Sequence, residues 1–225
     1  MRVSHDMFST VFAVVAVGLI ANVLLVLSCL PLIGLLMLTD PASSWPYLAA
    51  LAPLCGPAIV GAFHVFAEHE RGGHGPLRAF VSGWRRSWPK ASGVGVLGTL
   101  ALVVLLVDVR ALSALEVGVL LIPLLAVLVV LSVGATLLAL AGLAEVPTAR
   151  VRDLLRASIY FAVRRWYLTA ASLVVLVAQV ALFTHAPALA LGLTAAPALY
   201  LVWANSRFVL RPVLDDVAVH TVARA

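Results

Sequence analysis

Long apolar stretches alternate with short polar segments along the whole chain. A helix needs roughly 20 mostly apolar residues to cross the hydrocarbon core of a bilayer, which is about 30 Å thick. Pro31 in the first stretch and Pro123 in the fourth permit kinks. The short segment from Thr184 to Pro187 divides the last two stretches. The pattern predicts six membrane-spanning helices, at residues 11–38, 45–66, 91–107, 117–144, 167–185 and 187–205.

The composition excludes a water-soluble globule. Of the 225 residues, 63% are apolar and 11% are charged, whereas a soluble domain is roughly 45–50% apolar and about 25% charged. The mean hydropathy is +1.11. We therefore expect an all-α polytopic transmembrane helical bundle in which residues 1–225 form a single integral membrane domain.

The basic residues predict the orientation in the membrane. All of the 15 basic residues except Arg110 lie near the chain ends or in the segments 67–90 and 145–166. Because cytoplasmic loops carry the excess of Lys and Arg, both segments and both termini are expected in the cytoplasm of a bacterium, with the spans in its plasma membrane. No basic tract is long enough to indicate a nucleic acid partner.

Each of these two segments has the pattern of an amphipathic helix lying at the cytoplasmic interface just before a span. Apolar residues recur at helical spacing, and arginines occupy the other side. Such helices can contact anionic lipid headgroups or dock a partner protein. The candidate docking residues are Arg78, Trp84, Arg85, Arg86, Trp88, Arg156, Arg164, Arg165 and Trp166.

A few polar and helix-breaking residues interrupt the spans. The amides of Asn22 and Gln179 are expected to bond between helices, with substrate binding as the alternative. The segment 53–57 predicts either a simple kink or a broken span that lines a binding site. The candidate intramembrane positions are Asn22, Pro31, Pro53, Gly56, Pro57 and Gln179.

Two motifs bear on cofactors and metals. Gly93, Gly95 and Gly98 match G-x-G-x-x-G, but they open a predicted span and no strand precedes them, so close helix packing is favoured and no cofactor is predicted. Three histidines are spaced by five residues, whereas zinc sites on helices favour three or four. A solvated helix end is therefore expected at His64, His69 and His74, with a metal or pH-sensing cluster as the alternative.

The two cysteines lie in apolar stretches. Cys29 and Cys55 have neither CxxC spacing nor a neighbouring histidine. They are interpreted as small core residues rather than as a disulfide or a metal pair.

The first part of the chain resembles a known family. The residues that carry the resemblance are Asn22 to Pro31, then Gly56-Pro57-Ala58, then the aromatic and basic stretch around Phe80, Trp84 and Trp88. This arrangement is similar to the YesL-like bacterial multi-pass membrane proteins, a family of unknown function often encoded beside carbohydrate ABC transporters. The link from Leu32 to Cys55 is longer than is usual in the family, which supplies no catalytic residues to carry over.

The resemblance and the amphipathic helices together suggest a non-enzymatic accessory component associated with carbohydrate uptake. Its expected partners are anionic lipid, ABC transporter subunits or a second copy of the chain. The alternative is an independent small-molecule permease, suggested by the proline-containing spans and the intramembrane amides. A membrane-bound oxidoreductase is the least favoured class, because the sequence holds no catalytic motif.

Overall fold

The computed structural model describes residues 2–73, 75–116 and 118–222, with the side chains of residues 14–73, 75–116 and 118–211. These residues form helices and connecting turns, and no strand. A 3₁₀ turn at Ala52–Leu54 and a π turn at Ala190–Thr194 join some of them. The helices are α1 (Arg2–Ser28), α2 (Leu30–Leu38), α3 (Pro41–Leu51), α4 (Cys55–Glu70), α5 (Pro76–Leu112), α6 (Gly118–Glu145), α7 (Val151–Arg164), α8 (Trp166–His185), α9 (Pro187–Leu189) and α10 (Ala195–Val222).

The described helices confirm an all-α polytopic bundle. Five continuous helical segments are long and apolar enough to cross a membrane, two of them built from consecutive helices joined by a turn, and α1 with α2 makes a sixth if this bent pair is one span. The break at Ala186 separates the fifth and sixth spans as predicted. The five spans are Pro41–Glu70, Pro76–Leu112, Gly118–Glu145, Trp166–His185 and Pro187–Arg211.

The first predicted span is bent by 70° between α1 and α2. Pro31 has no N–H to donate to the carbonyl of Leu27, and its ring would clash with that carbonyl in a straight helix. The helix therefore ends at Ser28 and restarts at Leu30, with Cys29 between the two halves. Pro123 has no such effect, because α6 continues through it.

The first predicted amphipathic helix is continuous with the following span. Together they form α5, a helix of 37 residues with Pro89 in its interior. Both halves pack on α4, through Phe80 against Gly61 and through Ala91 against Gly56, so the same neighbour supports the helix on both sides of the proline. The second amphipathic helix is separate, because the backbone leaves the helical region at Arg165 between α7 and α8.

The core lies around α4 and the second half of α6. From Gly56 to Ala67 most of α4 is buried, including Phe63, and Trp203 of α10 is fully buried as well. The first half of α6 is largely exposed, whereas Gly134–Ala144 is almost entirely buried. Large apolar side chains remain exposed along α5, α6 and α8, as expected for surfaces that face lipid rather than water.

Candidate functional site

The intramembrane amide of Asn22 closes a gap in the backbone of the sixth span. Its Nδ2 donates to the carbonyl of Gly192 at 3.0 Å, and its Oδ1 accepts from the amide of Ala196 at 2.6 Å. In an unbroken α-helix the amide of Ala196 would donate to Gly192 directly. The Asn22 side chain therefore stands in place of one helical hydrogen bond, and it is 1% exposed.

The gap has an identifiable cause in Pro197. Its ring would clash with the carbonyl of Leu193 in a straight α-helix, and the π turn just before it moves that carbonyl away. In π register the carbonyl of Gly192 would need a donor at position 197, where proline has none. Since unpaired backbone groups are costly in a bilayer, an outside donor is required, and Asn22 supplies it.

The second intramembrane amide serves the same turn from α8. Gln179 donates through Nε2 to the carbonyl of Ala190 at 2.8 Å. Its Oε1 accepts from the hydroxyl of Thr194 at 2.9 Å. We call Asn22, Gln179 and Thr194 the π-turn clamp. Because the bonds described use both ends of both amides, the arrangement supports the interhelical bonding expected from sequence rather than substrate binding.

The proline and glycine positions of the second span form a tight helix crossing. A Cβ at Gly56 would meet the carbonyl oxygen of Ala91 at 2.7 Å, and one at Gly95 would meet the Cα of Pro53 at 3.0 Å. Pro53 lies in the 3₁₀ turn, and Pro57 is buried in α4. These residues bring α4 and α5 into backbone contact, as small residues do between membrane helices.

The glycine motif of α5 packs in the same way. A Cβ at Gly98 would approach the Thr136 hydroxyl oxygen to 2.5 Å, whereas one at Gly93 meets nothing within 4 Å. Two of the three glycines therefore permit close packing, in agreement with the packing interpretation of the motif.

The histidines do not form a metal site in the described part of the chain. His64 packs against Gly83, and His69 is exposed near the end of α4. His74 lies outside the described residues. Within those residues, no group of three His, Cys, Asp or Glu side chains is placed to hold a metal.

The two cysteines are free and come together at the bend of the first span. The thiols of Cys29 and Cys55 lie close enough to interact, and they do not form a disulfide. Their contact links the α1–α2 junction to the start of α4, and their spacing in the sequence gave no sign of it.

An ion-pair network joins the ends of α4 and α6 to the middle of α10. Arg71 contacts Glu145 at 2.6 Å, and Arg207 pairs with Glu70 and reaches Glu145 at 3.8 Å. The Glu145 side chain is only 7% exposed. The sequence indicated charged segments here but not these pairs, because the partners lie far apart along the chain.

The exposed face of the first half of α5 is basic and apolar together. Arg78, Arg85 and Arg86 are exposed, and none has an ion-pair partner among the described residues. Leu77, Val81 and Trp88 are exposed beside them. Trp84 is half-buried and supports Trp88 by an edge-to-face contact at 4.6 Å. We call Leu77, Arg78, Val81, Arg85, Arg86 and Trp88 the α5 stripe.

The four candidates around α7 have different roles. Arg165 donates to the carbonyl of Phe208 at 3.0 Å and covers its ring, so it fixes the α7–α8 junction to α10. Arg164 donates to the hydroxyl of Tyr160 on its own helix at 2.7 Å. Arg156 and Trp166 remain exposed. The structure thus engages Arg164 and Arg165 within the chain and leaves Arg156 open.

A large apolar groove lies between α5, α6 and α7. Its volume is about 690 Å³, and its walls are mainly aliphatic. The polar groups on its walls include the hydroxyls of Ser132 and Thr136, and Thr136 is bonded to a backbone carbonyl. The hydrophobic pattern predicted apolar helix faces but not how three of them enclose this groove.

Comparison with known proteins adds no relative: no family model, no curated protein and no solved structure matches this chain. The fold and the site geometry therefore define the class, a polytopic α-helical membrane protein with a clamped π turn in its last span.

Proposed function

We propose that this chain is a non-enzymatic accessory component of carbohydrate uptake in the bacterial plasma membrane, and that it docks an ABC transporter subunit through the α5 stripe. The observation that carries the proposal is the stripe itself. It combines an exposed tryptophan with three exposed arginines that have no ion-pair partner among the described residues.

The physical character of the stripe suits a protein partner. Tryptophan and arginine dominate the binding energy of protein interfaces. The twelve residues from Leu77 to Trp88 extend about 16 Å along the helix. Since α5 continues unbroken into a span, docking would not require ordering of a flexible segment, which reduces the entropic cost of binding.

The link to sugar transport rests on the resemblance to the YesL-like proteins. The positive-inside asymmetry supports an orientation with both termini, and therefore the α5 stripe, in the cytoplasm. There the stripe would meet an acidic and apolar surface on the cytoplasmic side of an ABC transporter.

The proposal is tested by purifying the tagged chain from native membranes in mild detergent, with cross-linking and mass spectrometry of co-purifying chains. A stoichiometric ABC transporter subunit is expected with the unmodified protein. The triple variant Arg78→Glu, Arg85→Glu and Arg86→Glu should reduce its recovery at least tenfold while the chain still inserts and folds. Arg110→Glu is the control, because it is an exposed arginine at the opposite end of α5. Undiminished recovery with the triple variant would reject docking through the stripe.

The permease alternative is favoured by one observation: α1, which bends into α2 at Cys29, also contacts the π turn of the sixth span through Asn22. Broken spans line substrate sites in many transporters. Purified protein in liposomes should then move small sugars or metabolites without a partner. An absence of flux across a broad panel would exclude an independent permease and would leave the accessory proposal standing.

A further inference from the structure

We propose that the groove between α5, α6 and α7 is a binding site for one anionic phospholipid, whose acyl chain fills the groove and whose phosphate is held by Arg152 and Arg156. This inference goes beyond the proposed function and does not depend on it, because it concerns a different surface of the molecule.

The shape and lining of the groove fit an acyl chain. Its volume of about 690 Å³ lies within the usual range for small-molecule sites, about 300–1,000 Å³. Leu100 and Val104 on α5 and Leu128 on α6 are exposed along it, so the groove opens sideways toward lipid. Ala101 and Ala135 line the groove, and because their side chains are small they leave room for an acyl chain.

One face of α7 connects the groove to positive charge. Ile159 and Val163 line the groove. Residues three, four or seven apart share a helix face, so Arg156 and Arg152 lie on the same face as Ile159, one and two turns toward the start of α7. A lipid chain lying against Ile159 and Val163 would therefore have its phosphate beside the two guanidinium groups.

The two arginines are available for an anion. Both are exposed, and neither makes an ion pair within the described residues. Asp153 lies between them in sequence, but no ion pair joins it to either. By contrast, the guanidinium group of Arg164 already donates to the Tyr160 hydroxyl, and that of Arg165 donates to the carbonyl of Phe208.

Exposed aromatic residues at the end of α7 indicate that this helix lies at the headgroup level. Tyr160, Trp166 and Tyr167 are all more than half exposed at the end of α7 and the start of α8. Tryptophan and tyrosine concentrate at the membrane–water interface, because their rings are apolar and their polar tips need partners. Basic pockets between helices at this depth are where anionic headgroups bind.

The test is native mass spectrometry of the full chain in a neutral detergent, titrated with phosphatidylglycerol and with phosphatidylcholine of the same acyl chains. One phosphatidylglycerol per chain is expected to bind at least tenfold more tightly than phosphatidylcholine. Each arginine near the surface contributes about fivefold to binding of an anionic lipid. The pair Arg152→Gln and Arg156→Gln should therefore abolish most of the preference, and Arg110→Gln, at the far end of α5, should leave it unchanged.

A second variant tests the acyl-chain part of the site. Ala101→Phe fills the groove and should weaken binding of both lipids at least tenfold, whereas Leu106→Phe on an exposed part of α5 outside the groove should not. Equal binding of the two lipids to the unmodified chain would overturn the proposal. So would an undiminished preference in the double arginine variant, or a groove occupied by a second copy of the chain, seen as a dimer that Ala101→Phe dissociates.

Discussion

The sharpest prediction concerns Asn22→Ala, which removes one arm of the π-turn clamp. Asn22 makes two hydrogen bonds, to the carbonyl of Gly192 and from the amide of Ala196. Interhelical side-chain bonds in membranes contribute about 0.6 kcal/mol on average and about 1.7 kcal/mol at most. We therefore expect the free energy of unfolding to fall by about 1–3 kcal/mol, the upper end applying if both backbone groups stay unpaired.

The measurement is reversible unfolding in mixed micelles of dodecyl maltoside and increasing SDS, followed by tryptophan fluorescence. Trp203 is fully buried and reports loss of the core. Val23→Ala is the matched control, because Val23 is adjacent on α1 and faces outward. Hydrogen exchange of the Ala196 amide provides a second readout, since this amide loses its acceptor in the variant.

A double-mutant cycle with Pro197→Ala tests the cause of the clamp. Alanine at position 197 restores a backbone N–H donor and removes the proline ring. The sixth span can then form regular α-helical backbone hydrogen bonds without Asn22. The cost of Asn22→Ala should therefore be smaller in the Pro197→Ala background by at least about 0.5 kcal/mol. A loss of stability in Asn22→Ala no larger than that in Val23→Ala, with exchange of the Ala196 amide unchanged, would show that Asn22 does not pair these backbone groups.

Two further predictions concern the packing of the second span. Gly95→Ala should lower the free energy of unfolding by about 1–3 kcal/mol because its Cβ meets the backbone of Pro53, whereas Gly93→Ala should be neutral or slightly stabilising. Equal effects of the two substitutions in the same SDS assay would contradict the crossing. Oxidation with copper phenanthroline should join Cys29 to Cys55 and protect both from maleimide, with Cys29→Ser and Cys55→Ser each leaving a reactive thiol. Unchanged labelling after oxidation would show that the thiols do not meet.

Much of the fold could be predicted because spanning a bilayer leaves few options. An apolar stretch of sufficient length must satisfy its backbone internally, so helices follow from the hydrophobic pattern alone. The departures from regular helices occur at prolines. Pro31 predicts a kink from the sequence alone, and the chain does bend there by 70°. Pro197 was the available signal for the π turn, but it did not reveal that a side chain 175 positions earlier would supply the missing donor.

The candidate functional residues also fall into two groups, those that a local pattern locates and those whose roles depend on contacts between distant helices. The α5 stripe could be located from its helical spacing, because exposure on a helix is a local property. The roles of the α7 arginines could not, since Arg165 is bonded to a carbonyl on α10, far along the chain. Likewise, the ion pairs of Glu145 and the apolar groove depend on three helices meeting, which no local pattern encodes.

The sequence by itself determined that this protein is a helical membrane protein, because the requirement to bury backbone polar groups in lipid acts on each stretch independently. It also identified Asn22 and Gln179 as the polar groups that would need partners inside the bundle. Only the tertiary structure decided what those partners are. A carbonyl becomes unpaired when a proline deforms its own helix, and the amide that pairs with it comes from whichever neighbouring helix the packing brings within about 3 Å.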